Sequence, residues 1–168
     1  MVHKNSLQRS LTEWAVLTVA LLTIAGSWSC KNSKAMHSNN IIHAFRLKPG
    51  EDLKQSILKY VNDHQMAAGF IVTCVGSLTH YDIRFANQPD GTTGTGHFEI
   101  VSLTGVLGIA GSHIHISISD STGKTIGGHL MDGCKIYTTA EIVIGEDKSK
   151  FFRREVDSTF GYKELKVE

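Results

Sequence analysis

The chain has 168 residues, enough for one domain with a proper core, and its 41% hydrophobic and 20% charged content is that of an ordinary globular protein. Seventeen basic side chains against sixteen acidic ones leave a formal charge of +1, which excludes a sequence-wide basic excess of the kind that neutralises many phosphates. Three cysteines, Cys30, Cys74 and Cys134, form neither a C-x-x-C pair nor an even framework, which argues against a disulfide-stapled miniprotein.

Residues 14–26 (WAVLTVALLTIAG) are apolar except for Thr18 and Thr23, follow Lys4 and Arg9, and precede the small residues around Gly26. Those are the proportions of a signal peptide, and the run is shorter than the roughly 18 apolar residues of a usual membrane span. Three readings stay open for residues 1–29: a cleavable signal peptide, a signal anchor lengthened by its flanks, or an untargeted extension. The first two imply the secretory pathway or a membrane-anchored protein, the third a cytoplasmic one. Residues 30–40 are polar and without periodicity, which marks a linker, and the domain is expected over residues 41–168.

Within that domain, residues 43–47 read as a first strand, broken by Pro49-Gly50. Leu53, Ile57, Leu58 and Val61 then recur at helical spacing as far as about His64. Strands are expected at residues 70–75, 81–86, 97–107, 113–120, 125–130 and 136–144, all rich in β-branched or aromatic residues and separated by glycine-containing turns. The 16 glycines against two prolines, Pro49 and Pro89, suit many tight turns. The fold class is therefore α+β, a largely antiparallel sheet with one main flanking helix.

His113 and His115 stand two apart in a strand, so both imidazoles point to one face while Ile114, Ile116 and Ile118 point to the core. The following Ser121-Thr122-Gly123 fits a three-residue hairpin loop with Gly123 in the left-handed position. That loop pairs Asp120 with Lys124 and, counting back, His115 with His129, so a third imidazole joins the same face. A four-residue loop, or a bulge at Gly127-Gly128, would instead turn His129 away. Three histidine ligands with a fourth position open to water or substrate are the arrangement of a catalytic zinc site, with iron, nickel and copper as alternatives. The competing account is three hydrogen-bonded, half-buried histidines.

The remaining histidines, His3, His37, His43, His64, His80 and His97, show no such spacing and are expected as surface or packing residues. Cys134 is expected as a small buried hydrophobe rather than a ligand. Arg153, Arg154, Asp157 and Glu164 make a charged C-terminal stretch, better read as a solvated face or a subunit contact than as acid/base machinery. Glu141 is the best carboxylate candidate for a general base, although the sequence leaves its facing open; no catalytic residue is assigned.

Residues 111–146 (GSHIHISISDSTGKTIGGHLMDGCKIYTTAEIVIGE) resemble the signature half of the PPC domain, the plants and prokaryotes conserved domain. Residues 96–105 (GHFEIVSLTG) resemble its middle segment, and Gly76-Ser77-Leu78 with residues 152–165 extend the likeness in both directions. The resemblance implies an antiparallel sheet with a flanking helix, assembly as a homotrimer, and, in prokaryotic-type members, a metal site at the positions of His113, His115 and His129. Plant members carry Arg at the position of His97, use the segment around it to contact other nuclear proteins, and add an AT-hook with an Arg-Gly-Arg-Pro core. No such core occurs in this sequence, so the resemblance is to the prokaryotic type. The family's fold is also similar to that of acetolactate decarboxylases, which hold zinc with three histidines; function does not follow from that likeness.

Three functions compete at this stage. One is a zinc-dependent lyase or hydrolase acting on a small molecule. Another is a non-enzymatic trimeric module that meets a protein partner, and the last is a DNA-associated regulator, which the near-zero net charge places behind the others.

Overall fold

The computed structural model describes residues 40–168. The leader, most of the linker, His3, His37 and Cys30 lie outside the described residues. Among the described residues no helix is long and apolar enough to cross a membrane.

The chain enters strand β1 (Asn40–Leu47) and turns into helix α1 (Leu53–Asp63). Asp52 starts the helix as its N-cap: Gln55 N donates to the Asp52 carboxylate at 3.1 Å, satisfying one of the backbone donors that a helix N-terminus leaves open. The other Asp52 oxygen accepts from Gly133 N at 2.7 Å, so one carboxylate both starts the helix and pins the turn before the sixth strand. Leu53, Ile57 and Val61 form the buried face of α1, as their spacing predicts. Leu58 is only partly covered.

Five more strands complete the main sheet: β2 (Gly69–Arg84), β3 (Thr92–Leu107), β4 (His113–Ser119), β5 (Thr125–Leu130) and β6 (Lys135–Asp147). The strand order is β1-β6-β2-β3-β4-β5, and every pairing is antiparallel. One edge of β2 serves β6 along most of its length and then β5 at its end, through Ile83↔Leu130 and Arg84↔His129. Strands β2 to β5 thereby close on one another, and the closure carries Arg84 to the side of His129.

The expected strands at residues 70–75 and 81–86 are one continuous strand, β2. The separation into two followed from reading Gly76 as a turn. It is instead a point of close approach: a Cβ there would lie 2.2 Å from the Thr139 carbonyl oxygen of β6. Irregular register around Leu78 and His80 bends the strand without ending it.

The core is aliphatic and continuous, with Leu78, Leu107, Ile116, Ile118, Ile136 and Ile144 among its fully buried members. Cys74 and Cys134 are buried within it as free thiols, and burial pushes them up to about 12 and about 11 respectively. Cys134 is a structural residue, as expected: its sulfur accepts from Asp82 N at 3.3 Å.

Beyond the main sheet, β7 (Phe152–Val156) and β8 (Lys163–Val167) form a two-stranded ribbon that the residue pattern did not announce. Its side chains are mostly exposed, so the apolar alternation that signals a half-buried strand is missing. Cross-strand pairs hold it instead, Lys166 to Glu155 at 2.9 Å among them, and Phe152 N donates to the Ala67 carbonyl at 3.0 Å to tie it to the main body.

Candidate metal centre

The hairpin between β4 and β5 has the three-residue geometry. Asp120 N donates to the Lys124 carbonyl and Gly123 N to the Asp120 carbonyl, each at 3.0 Å, and Gly123 has φ +82°, a left-handed conformation open to glycine at little cost. The Asp120 carboxylate closes the turn by accepting from Thr122 Oγ1 at 2.6 Å, Thr122 N at 2.8 Å and Lys124 N at 3.1 Å, and these bonds, the Thr122 hydroxyl's first, hold it below the usual carboxylate range. From this turn the register runs back without interruption to His115↔His129.

Along β4 the alternation is complete: Ile114, Ile116 and Ile118 are buried, and His113 and His115 project from the other face. His129 joins them from β5, and each of the three rings offers a nitrogen within 4.8 Å of the other two. Nε2 of His113 and Nε2 of His115 are 3.1 Å apart. A tetrahedral ion with Zn–N bonds of about 2.0–2.1 Å needs ligand nitrogens roughly 3.3 Å apart, so this pair already stands near the spacing of two ligands.

Two further properties make these imidazoles suited to a cation. The Nδ1 atom of His129 is buried with no hydrogen-bond partner, an unsatisfied lone pair or N–H of the kind native structures rarely leave. In addition, His129 is pushed down to about 4, by burial first and then by the positive charge of His113, Arg84 and His115. His113 is lowered too, by burial and then by His115 and Arg154, against an opposing pull from Glu164. Neutral imidazole is the ligand form, so both rings are ready to bind near pH 7.

The site sits between two clefts. One, of about 560 Å³, is lined by His115 and His129 with Ser102, Thr104 and Arg84. The other, of about 670 Å³, has His113 and His129 on its floor and Arg84, Arg154, Tyr162 and Glu164 around it. Arg84 carries no sequence motif and escaped the sequence reading; only the β2–β5 closure brings it here. Arg154 and Glu164, read from sequence as a solvated face or subunit contact, line the second cleft because β7 and β8 fold back over it. An Nη2 atom of Arg154 lies 3.5 Å from His113 Nδ1 and also donates to the Lys163 carbonyl. Asp157 stays apart from the site and caps the ribbon's turn, accepting from Thr159 N at 2.7 Å.

Glu141 does not reach the triad. It is exposed on β6, opposite Arg46 of β1 and Val75 of β2, and lines neither of the two clefts. The other described histidines have packing or surface roles: His97 stacks on Tyr137, His64 on Tyr60, and His43 Nε2 lies 3.2 Å from the Glu146 carboxylate.

A mostly antiparallel sheet with a single helix, carrying three convergent histidines on the outer face of one hairpin, defines a small α+β protein with a site able to hold a metal. The chain belongs to the Plants and Prokaryotes Conserved (PCC) domain family, whose model matches residues 35–148. It is similar in structure to a hypothetical protein from Salmonella cholerae-suis, at 40% identity and a TM-score of 0.76, covering 78% of this chain and 95% of that one. A metal-containing protein from Archaeoglobus fulgidus shares the fold at 21% identity and a TM-score of 0.65, over 75% of this chain and 93% of the other. A plant- and prokaryote-conserved (PPC) protein from Pyrococcus horikoshii does so at 22% identity and 0.63, over 75% and 91%. Among curated proteins, the bifunctional protein GlmU of Synechococcus sp. (strain JA-3-3Ab) is 40% identical over 127 residues, which is 76% of this chain. This chain spans about 20% of the length of that relative.

Proposed function

We propose that the chain binds one zinc ion through His113, His115 and His129 and uses it in lyase or hydrolase chemistry on a small molecule. The observation that carries this reading is the register His115↔His129, which puts a third imidazole beside the H-x-H pair. Three neutral nitrogen ligands favour zinc, iron, nickel and copper being the other divalent metals with imidazole affinity. When bound, such an ion supplies a Lewis acid that polarises a substrate oxygen or lowers the pKa of a water. The chain's own residues hold the ring nitrogens, admit a small molecule through the cleft, and place Glu164 in the lining as a carboxylate able to handle a proton. The similarity in fold to a protein described as metal-containing is consistent with this assignment.

In the same reading the chain assembles as a homotrimer. Val75 on β2 and Val101 on β3 are 64% and 58% exposed, apolar side chains that a subunit contact would cover. Those side chains also support the second reading, a trimeric interaction module in which the triad binds metal without turnover. A DNA-associated role has the least support, since the formal charge is only +1.

The deciding experiment is metal content by plasma mass spectrometry on the untagged chain, beside a variant with His113, His115 and His129 changed to Ala. About one zinc per chain in the wild type and none in the variant is expected. A wild-type chain that is empty and cannot be reloaded would sink the proposal. Turnover on a panel of small acids and esters then separates enzyme from module.

A further inference from the structure

Arg84 and Arg154 reach the second cleft from unrelated parts of the chain, β2 and β7, and converge beside His113 and His129. Lys163 lines the same cleft, and Glu164 is the carboxylate that faces these three cations there. None of the ion pairs among the described residues involves Arg84, Arg154 or Lys163. Arg84 donates to the Gln88 carbonyl at 3.3 Å, and Arg154 makes its contacts to the Lys163 carbonyl and His113 through one nitrogen, Nη2. A guanidinium has five N–H donors in a fork that matches an oxyanion, so most of the donor capacity of this pair is left for something in the cleft. Both arginines are partly buried, where a charge without a counterion is costly and one with a bound anion is not.

The charge of the lining points the same way. Arg84, Arg154 and Lys163 outnumber the one carboxylate, Glu164, so the cleft's own side chains leave a net positive charge that an anionic ligand would offset.

We infer that the cleft of about 670 Å³ between the histidine triad and the β7–β8 ribbon is an oxyanion site, in which Arg84 and Arg154 hold the carboxylate or phosphate group of a small organic acid. The inference rests on the metal reading only for where the ligand's other end lies; the anion subsite itself is built from the arginines.

The test is calorimetric titration of the full chain with inorganic phosphate and, separately, with succinate, in chelator-treated and zinc-loaded protein, and in the variants R84Q, R154K and R84Q/R154Q. At least one anion is expected to bind the chelator-treated wild type, with affinity at least about tenfold lower in the double variant, as the loss of charge-assisted hydrogen bonds dictates. Preference for phosphate or succinate tells which oxyanion the site is shaped for. Should the double variant fail to fold by circular dichroism, the single variants carry the same comparison, each with a smaller loss. The inference is overturned if neither anion binds the wild type in either state, or if binding is equal in wild type and variants. Anion binding by a chain that retains no zinc would remove the metal reading and leave this one standing; zinc retained without anion binding would do the reverse.

Discussion

His129 shows how a single side chain can report on its surroundings. It sits at about 4 in the folded chain against an ordinary 6.5, because burial and neighbouring positive charge disfavour its protonated form. Between those pH values the unfolded chain binds a proton that the folded one does not. The stabilising contribution is therefore fully present above 6.5 and is lost as the pH falls toward 4 in metal-free protein. Urea unfolding of the chelator-treated chain at about pH 7.5 and about pH 5 should show a drop in stability on acidification that is smaller in H129Q. Parallel behaviour of the two proteins would mean that the ring does not feel this environment.

At the scale of elements, two glycines with opposite surroundings separate packing from conformation. Gly76 faces the β6 backbone, where a Cβ would come within 2.7 Å of Ala140 Cα as well as against Thr139. G76A forces two strands apart and is expected to cost about 1–3 kcal/mol or more, read as a lower urea midpoint. Gly123, with φ +82° and nothing within 4 Å of a built Cβ, meets no neighbour. G123A is expected to cost about 1 kcal/mol, from the left-handed backbone alone, and to keep its metal, since the register survives a strained turn. Metal loss in G123A would show that the loop, rather than the pairing of β4 with β5, holds the triad together.

For the molecule as a whole, the two exposed valines make the prediction. A trimer buried across Val75 and Val101 should fall apart when both become glutamate, giving monomers by light scattering in V75E/V101E while circular dichroism still reports the sheet. A wild type that is monomeric at all concentrations would rule out the assembly, and a variant that remains trimeric would place the contact elsewhere.

The sequence alone determined that His113 and His115 share one face of a strand whose other face carries Ile114, Ile116 and Ile118, because strand period is local information. It also offered the three-residue loop ending in Gly123, but the structure decided between that loop and the four-residue or bulged alternatives, and so fixed His129 opposite His115. The helix was legible for the same reason, since Leu53, Ile57 and Val61 follow a period the chain keeps by itself. The continuity of β2, the β7–β8 ribbon and the approach of Arg84 and Arg154 to the histidines were decided by the tertiary structure. Gly76 reads as a turn until the β6 backbone is known to lie against it, and exposed charged strands show no apolar period. Arg84 meets His129 only because β2 is long enough to pair with β6 along most of its edge and with β5 at its end. Contacts between residues far apart in the chain depend on how sheets close, and no local pattern of side chains encodes that closure.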